Sequence, residues 1–287
     1  MKHVIRLLRV KQWIKNLFVF LPLFFAGEFL NTSLLIDSLL AFFAFSLTSS
    51  IIYILNDLKD IEKDKLHPVK KNRPLANGDI SKKNALLLIV PLTLAVVLLS
   101  VFNFTLLSII PLTLYFILNL LYIYLLKTIA IIDVAIIATG FVLRVVFGGL
   151  VTAIFVSKWA LLLTFSLALV LALGKRRGEL VFVQRDARPS LNGYNLPFID
   201  TALTITITIT LVCYIMYTIS PDVVDGFGSE YVYATTIFVL LGLLRYLQQT
   251  MVFNKTESPT KFVYKDVFVQ LMIICWILSF VLIIYFK

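Results

Sequence analysis

Cysteine and histidine are scarce in this sequence, with two of each among 287 residues. Cys213 and Cys275 lie within apolar runs and have neither metal-ligand spacing nor a neighbouring histidine, so we expect both to be packing residues. His3 and His67 make no zinc site either. The composition therefore argues against a thiol or zinc centre.

Several familiar sequence patterns are also missing. The chain has no Walker loop and no Rossmann glycine pattern, which argues against nucleotide hydrolysis. It has no long linker and no low-complexity tract, so we expect one domain spanning residues 1–287. The cations are spread over several segments and form no recognisable nucleic-acid-binding module, so we expect no nucleic-acid partner.

Charged residues make up only 15% of the chain, whereas hydrophobic residues make up 60% and the mean hydropathy is +0.96. Such a chain is too apolar for a soluble domain of this length. We therefore predict an all-α integral membrane protein, a bundle of nine transmembrane helices around a central polar cavity open to the cytoplasm. The predicted spans are residues 16–30, 34–55, 85–102, 104–125, 129–150, 157–173, 199–219, 231–249 and 267–286.

Positive charge predicts the orientation of this bundle. Nearly all of the 26 Lys and Arg residues lie at the N-terminus or in segments on one side of the predicted spans. The opposite side holds Lys158 and Lys287 beside Asp222, Asp225 and Glu230. By the positive-inside rule the N-terminus and the charged loops are cytoplasmic. This predicts a multi-pass protein of the inner (plasma) membrane with its active site at the cytoplasmic face.

One run in the seventh predicted span, from Thr204 to Thr210, alternates as a β-strand would. An open strand in lipid would leave backbone groups unpaired, so we predict a helix. Its threonines are then expected to line contacts between helices.

Carboxylates are concentrated between the second and third spans, where Asn56 is followed by Asp57, Asp60 and Asp64. At about 100° per residue, a continuous helix would place all three carboxylates on one side. Carboxylates at this spacing repel each other unless a cation joins them. Mg²⁺ binds one or two carboxylates and fills its other positions with water and phosphate oxygens, so the segment predicts a magnesium site. A polar loop without chemistry is the alternative.

Cations follow this acidic segment and recur at the same predicted face. Lys70 and Arg73 would hold the remaining oxygens of a polyphosphate. The chain therefore looks like an enzyme that handles a diphosphate at a membrane surface. Further candidate substrate contacts are Lys11, Gln12, Lys15, Asn16, Tyr122, Lys127, Asp133, Arg144, Lys175, Arg176, Arg177, Glu179 and Arg188.

Several of these candidates have a second interpretation. Asp133 and Arg144 share one face of a predicted span, about 16 Å apart. A guanidinium at that depth is expected to face either an anionic ligand or an interhelical salt bridge. The run from Lys175 to Arg177 is either a topology anchor or a second phosphate cradle, and the segment 11–16 is either a binding segment or an interfacial anchor.

These motifs together resemble the UbiA superfamily of membrane prenyltransferases. The Asn-Asp-x-x-Asp-x-x-x-Asp segment from Asn56, with Tyr122 and Lys127, carries the resemblance to the superfamily. Lys-Gln-Trp-x-Lys-Asn at 11–16 and Gly-Lys-Arg-Arg-x-Glu-Leu at 174–180 are similar to the members that transfer a phosphoribosyl group. Ordinary members have a second aspartate-rich motif where this chain has Glu179 and Asp186 among cations, so the number of Mg²⁺ ions stays open.

The resemblance implies transfer of a 5-phosphoribosyl group from phosphoribosyl diphosphate (PRPP) to a polyprenyl phosphate of the decaprenyl type, with release of diphosphate. Mg²⁺ held by Asp57, Asp60 and Asp64, with Asn56 orienting, would neutralise the leaving group. The lipid tail would stay in the bilayer. A homo-oligomer and downstream epimerases of the same pathway are further partners that the resemblance leaves open.

Two other functions stay open at this point. A UbiA-type prenyltransferase with an aromatic acceptor would use the same carboxylates to ionise an allylic diphosphate, although the arginine-rich loop counts against it. A membrane transporter could use Asp133 and Arg144 as pathway residues. The chain has no internal repeat, however, and its acidic segment lies in a surface loop rather than at mid-membrane.

Overall fold

The computed structural model describes residues 2–67, 69–182, 189–254 and 265–285, and the regular structure in these ranges is helical. The α-helices α1 to α12 are, in chain order, Lys2–Leu7, Leu21–Phe25, Thr32–Lys59, Ile61–Leu66, Lys82–Asn103, Leu106–Tyr124, Ile132–Thr152, Lys158–Phe182, Leu196–Thr218, Pro221–Phe227, Thr236–Met251 and Val267–Tyr285. The 3₁₀ segments are Val10–Phe20, Lys70–Asn72, Leu126–Thr128, Pro189–Gly193 and Glu230–Thr235.

Seven helical stretches in the described ranges are long and apolar enough to cross a membrane. They are α3, α5, α6, α7, α8, α9 and the stretch Glu230–Met251, which contains α11. α12 contributes a shorter apolar stretch, Val267–Ile283. The prediction of an all-α, multi-pass membrane protein is thus confirmed. The count of nine spans, the central cavity and the cytoplasmic N-terminus stay predictions.

Side-chain caps determine where four of the spans begin. In each case the side-chain oxygen of the residue before the helix accepts a hydrogen bond from a backbone amide three residues later. Such a cap satisfies an amide that the first helical turn leaves without a partner. The capping residues are Asn31 for α3, Ser81 for α5, Thr105 for α6 and Asn195 for α9.

The alternating threonine run lies inside α9, so the prediction of a helix is confirmed. The hydroxyls of four threonines in this run donate to the carbonyl oxygen four residues earlier. Each hydroxyl is therefore satisfied within its own helix, which allows polar side chains in an apolar span.

The chain divides into two compact units. The first unit comprises Met1–Leu126 and Leu143–Phe155, and the second comprises Lys127–Val142 and Val156–Lys287. α7 is continuous, and the boundary between the two units falls within it. This division does not test the expectation of one domain over residues 1–287, which stays a prediction.

The first predicted span, residues 16–30, is wrong as a single helix. The 3₁₀ segment Val10–Phe20 occupies its beginning, and the five-residue α2 follows. A 3₁₀ helix has about three residues per turn, so Trp13, Asn16 and Val19 share one side. Trp13 and Asn16 use this side to reach α3, and Val19 uses it to pack in the core of the first unit.

Small residues on the neighbouring helices let this 3₁₀ segment approach closely. Trp13 Nε1 donates to Ser50 Oγ at 3.0 Å, and Asn16 Nδ2 donates to Ser46 Oγ at 2.9 Å. A Cβ at Gly148 on α7 would overlap the backbone of Val19. Contacts repeated every three residues therefore stabilise the tighter helix.

The core of the second unit is the contact between α8 and α9. Val170 and Leu173 of α8 pack with Ile199 and Leu203 of α9, and all four side chains are buried. A Cβ at Gly174 would collide with the hydroxyl of Tyr246, which belongs to the same core. This packing fixes the part of α8 that carries the Lys175–Arg177 run.

Candidate active site

The acidic segment of the first unit is split between two helices. α3 ends at Lys59, α4 begins at Ile61, and Asp60 lies between them with φ −97° and ψ 10°. Ile61, the first residue of α4, is buried in one cluster with Leu7 and Ile54. The prediction of one continuous helical stripe of three carboxylates is therefore wrong.

Two of the three carboxylates nevertheless come together. Asp57 on α3 and Asp64 on α4 are only 2% and 4% exposed. Arg73 Nη1 lies 3.0 Å from Asp57 Oδ1 and 2.6 Å from Asp64 Oδ2, so one guanidinium nitrogen bridges both side chains. Arg73 follows the 3₁₀ turn Lys70–Asn72, and its own amide bonds to the Lys70 carbonyl. The loop after α4 thus carries a cation back to the acidic pair.

A second arginine contacts the same pair. Arg9 Nη2 lies 2.5 Å from Asp57 Oδ1, the oxygen that also accepts from Arg73. The Arg9 guanidinium stacks over the Tyr53 ring, 4.9 Å from its centroid. The side chains of Arg9 and Arg73 are 23% and 24% exposed, so both cations lie on the open side of the site.

The acidic pair fits a magnesium ion in its chemistry. In residues 2–67, 69–182, 189–254 and 265–285, no set of three His, Cys, Asp or Glu side chains is arranged to hold a metal. Mg²⁺, however, needs only one or two carboxylates when phosphate and water fill its other positions. Two carboxylate oxygens that lie within 3.0 Å of one cationic nitrogen supply such a donor set. Metal binding by Asp57, Asp60 and Asp64 and a role for Asn56 stay predictions.

A second polar cluster of the first unit surrounds Arg144. Its guanidinium donates to Asn16 Oδ1 at 2.8 Å and to the Tyr115 hydroxyl at 3.1 Å, and it stacks over the rings of Phe45 and Tyr115. Burial lowers the pKa of Lys15 from its ordinary value, and the nearby charge of Arg144 lowers it further. Two cations are thus held close together in a site where an anion would stabilise both.

The remaining candidates of the first unit are positioned around these two clusters. Lys11 is exposed and Gln12 is half-buried on the 3₁₀ segment. Lys70 lies in the turn before Arg73, and Tyr122 packs near the end of α6. Their predicted contacts with substrate stay predictions.

In the second unit, Asp133 is the centre of a fully enclosed hydrogen-bond network. Arg176 Nε donates to Asp133 Oδ2 at 2.8 Å, Ser190 Oγ donates to the same oxygen at 3.0 Å, and the Tyr194 hydroxyl donates to Oδ1 at 2.7 Å. Asp133 is 0% exposed and Arg176 is 1% exposed. Glu179 adds a second carboxylate, 2.7 Å from Arg176 Nη1.

The Tyr194 hydroxyl also accepts a hydrogen bond from the backbone amide of Ile131, at 2.6 Å. Ile131 has φ 70°, a conformation that is strained for a β-branched residue. Burial raises the pKa of Tyr194, and the hydrogen bond to Asp133 raises it further. Tyr194 therefore stays protonated and holds both the carboxylate and the turn before α7.

Arg177 is likewise engaged by its own chain. It donates to Asp200 Oδ1 at 2.6 Å, to the Thr250 carbonyl at 2.6 Å and to Asn254 Oδ1 at 2.5 Å. The sequence offered a topology anchor or a phosphate cradle for the Lys175–Arg177 run. The contacts of Arg176 and Arg177 instead favour a structural role, in which they hold segments of the second unit together. Substrate binding by Asp133, Arg176 and Arg177 stays a prediction.

The last candidates occupy more open positions. Lys175 is half-exposed, with its Nζ 3.9 Å from Glu179, and Lys127 lies in the 3₁₀ turn Leu126–Thr128. Arg188 and Asp186 lie outside the described residues.

Sequence reasoning missed two basic residues of the first unit that make defined contacts, Arg9 and Lys59. Arg9 was not a candidate, although His3, Arg6 and Arg9 repeat every three residues before the Lys-Gln-Trp motif. Lys59 was also overlooked. Its Nζ donates to the carbonyls of Ile123 and Tyr124 at 2.9 and 3.3 Å, so it caps the end of α6. The position of Lys59 between Asp57 and Asp60 is the sequence feature that could have identified it.

The described helices, several of them long and apolar enough to cross a membrane, carry an acidic, arginine-paired site at the end of a span. The model of the UbiA prenyltransferase family matches residues 17–274. The chain therefore belongs to the UbiA prenyltransferase family, and it is a transferase.

Two curated relatives cover almost the whole chain. The decaprenyl-phosphate phosphoribosyltransferase of Mycolicibacterium smegmatis is 31% identical, over 99% of this chain and 93% of that relative. The protein of the same name from Corynebacterium glutamicum is 29% identical, over 98% of this chain and 86% of the relative.

A solved structure has the same fold. A UbiA homologue from Archaeoglobus fulgidus, determined with GPP and Mg²⁺ bound, matches with a TM-score of 0.69 at 17% identity, over 98% of this chain and 99% of that chain. This likeness confirms the UbiA fold expected from the motifs.

Proposed function

We propose that this protein is a Mg²⁺-dependent enzyme that transfers the 5-phosphoribosyl group of PRPP to a polyprenyl phosphate, at the cytoplasmic face of the inner membrane. The observation that carries the proposal is the buried pair Asp57 and Asp64, bridged by Arg73 where a membrane span ends. The names of the curated relatives support PRPP as donor and a decaprenyl-type phosphate as acceptor.

The reaction exchanges one bond at the anomeric carbon of ribose. The bond to the diphosphate oxygen breaks and its electron pair leaves with diphosphate, while an oxygen of the lipid phosphate forms the new bond to carbon. When bound, Mg²⁺ supplies positive charge beside the leaving diphosphate. Asp57 and Asp64 would hold this ion, and Arg73 would donate to diphosphate oxygens beside it.

The acceptor hardly needs a general base, since a phosphate monoester is already ionised at neutral pH. The residues must instead position two anionic groups and stabilise charge, as in other phosphoryl-group enzymes. We assign Lys15 and Arg144 to the lipid phosphate. Burial lowers the pKa of Lys15 and the charge of Arg144 lowers it further, and an anion bound there would offset both effects. The isoprenoid tail would stay in contact with the bilayer.

The direct test is incubation of the purified, reconstituted protein with ribose-labelled PRPP, polyprenyl phosphate and Mg²⁺. We expect label to enter the lipid phase, and we expect excess chelator to stop this. Asp64→Asn should abolish transfer, because it removes one of the two carboxylates that would hold the ion, while the variant elutes as a folded protein in size-exclusion chromatography. Turnover that continues in chelator, or prenylation of an aromatic acid with label left in water, would contradict the proposal.

A further inference from the structure

Basic side chains three residues apart connect α1 and Arg9 to the loop that follows α4 and to Asp57. His3 Nδ1 lies 2.8 Å from Asp79 Oδ2, and Arg6 Nη2 donates to the Asn72 carbonyl at 2.8 Å. Arg9 follows with its contact to Asp57. Leu7 is fully buried between these contacts. The N-terminus therefore forms one wall of the site that also contains Arg73.

The backbone of Arg9 has an unusual conformation at the point where its side chain contacts Asp57. Arg9 has φ 51° and ψ 43°, the left-handed conformation, which is strained for a residue with a Cβ. It separates α1 from the 3₁₀ segment Val10–Phe20. A strained residue at a functional site suggests that its position serves a purpose other than stability.

The contact geometry of Arg9 differs from that of a buried structural arginine. Arg9 and Arg73 both donate to Oδ1 of Asp57, so two positive charges converge on one oxygen. A guanidinium this close repels a divalent cation that binds the same carboxylate. The same guanidinium is a planar fork that matches phosphate oxygens. Its partial exposure leaves it room to turn toward a ligand.

We propose that Arg9 is a diphosphate-binding residue that exchanges its partner, contacting Asp57 in the absence of substrate and phosphate oxygens once the metal–diphosphate is bound. The inference rests on the proposed function of the acidic site and adds Arg9 to its machinery. It differs from a positioning role, in which Arg9 would only orient Asp57.

Two binding measurements on detergent-purified full-length protein distinguish these roles. The first is the affinity for Mn²⁺ alone, measured by electron paramagnetic resonance of the free ion. The second is the affinity for pyrophosphate at saturating Mg²⁺, measured by calorimetry. Arg9→Gln should raise the Mn²⁺ affinity about three- to tenfold, because a competing charge is gone. It should lower the pyrophosphate affinity about tenfold or more, because a charge-assisted donor is lost.

Arg6→Gln is the matched control, since Arg6 lies on the same wall but donates to a backbone carbonyl. The affinities of Arg6→Gln for Mn²⁺ and for pyrophosphate should both stay within about twofold of wild type, because this variant loses no contact to a carboxylate. Arg9→Lys keeps the charge and loses the fork, so its Mn²⁺ affinity should be unchanged while its pyrophosphate affinity falls about threefold. This variant decides the question if Arg9→Gln does not fold.

A fall in both affinities of Arg9→Gln, or no change in either, would overturn the inference and leave Arg9 a positioning or surface residue. An unchanged pyrophosphate affinity of Arg9→Lys would also overturn the inference. The proposed reaction is tested separately by the labelled-PRPP assay. If Arg9→Gln raises the Mn²⁺ affinity and lowers the pyrophosphate affinity, but the wild-type protein does not label lipid, the proposed reaction is refuted. The diphosphate-binding role of Arg9 is then still supported.

Discussion

The acidic pair of the first unit and the Asp133 network of the second unit use the same chemical groups in different surroundings. Asp57 and Asp64 are buried, but the arginines that neutralise them are about a quarter exposed. Asp133 and Arg176 are both enclosed, and Asp133 also accepts hydrogen bonds from two hydroxyls of the chain.

This difference separates a site that can exchange ligands from one that cannot. Arg9 can leave Asp57 at a modest cost, because water solvates the partly exposed guanidinium and Asp57 keeps its contact to Arg73. An enclosed pair cannot separate without leaving an uncompensated charge in a poorly hydrated environment. We therefore expect changes at Asp57 to affect activity, and changes at Asp133 to affect stability.

The largest expected effect follows Asp57→Asn. This change keeps the shape of the side chain and removes the negative charge that would hold a metal, so transfer activity should fall about 10³-fold or more. The melting temperature in detergent should change little, because Arg9 and Arg73 stay hydrated. A loss of stability as large as that of Asp133→Asn would remove the distinction between the two clusters.

Asp133→Asn should reduce stability more than activity, the reverse of the pattern expected for Asp57→Asn. We expect it to lower the free energy of unfolding by about 3 kcal/mol, because the buried Arg176 loses its carboxylate contact to Asp133 and keeps that to Glu179. Thermal unfolding followed by circular dichroism measures this loss, and the activity per folded molecule should stay within about tenfold of wild type. Inactive protein of normal stability would instead favour the substrate contact predicted from sequence.

Gly174→Ala tests how tightly the second unit is packed beside its arginine run. The new Cβ would collide with the Tyr246 hydroxyl, which should destabilise the protein by about 1–3 kcal/mol. Adding Tyr246→Phe should recover part of this loss. Gly226→Ala is the control, because a Cβ at that position would have nothing within 4 Å, and its effect should stay within about 0.5 kcal/mol.

The smallest effect is expected for Tyr194→Phe, at about 1–2 kcal/mol, because two hydrogen bonds of its hydroxyl are lost. Its pH dependence gives a sharper test. The raised pKa of Tyr194 means that its stabilising contribution is complete below the unfolded tyrosine pKa, near 10, and is lost as pH rises above it. Stability of the variant should therefore decline less steeply above pH ~10 than that of wild type. Equal slopes would contradict the enclosed hydrogen bond.

Much of the fold could be predicted because lipid demands long apolar helices. The predicted spans 34–55 and 129–150 correspond to Thr32–Lys59 and Ile132–Thr152, within a few residues at each end. The span 16–30 failed because hydropathy cannot distinguish a 3₁₀ segment from an α-helix. The 3₁₀ geometry of this segment depends on contacts with Ser46 and Ser50, which are far away in sequence.

The candidate site was predictable where its residues form a local motif. Asp57, Asp64 and Arg73 lie within one short segment, and the structure brings them together. Arg9 was missed because 48 residues separate it from Asp57. Asp133 and Arg176 were singled out as charges in an apolar chain, but only the packed helices show that they bind each other.

The helix break at Asp60 places two buried, negatively charged side chains on neighbouring helices. Asp57 lies on α3 and Asp64 lies on α4, and Asp60 alone separates the two helices. Like charges on the two helices repel each other, and Arg73, which contacts both, offsets that repulsion. The junction of the two helices therefore depends on a cation that the loop after α4 supplies.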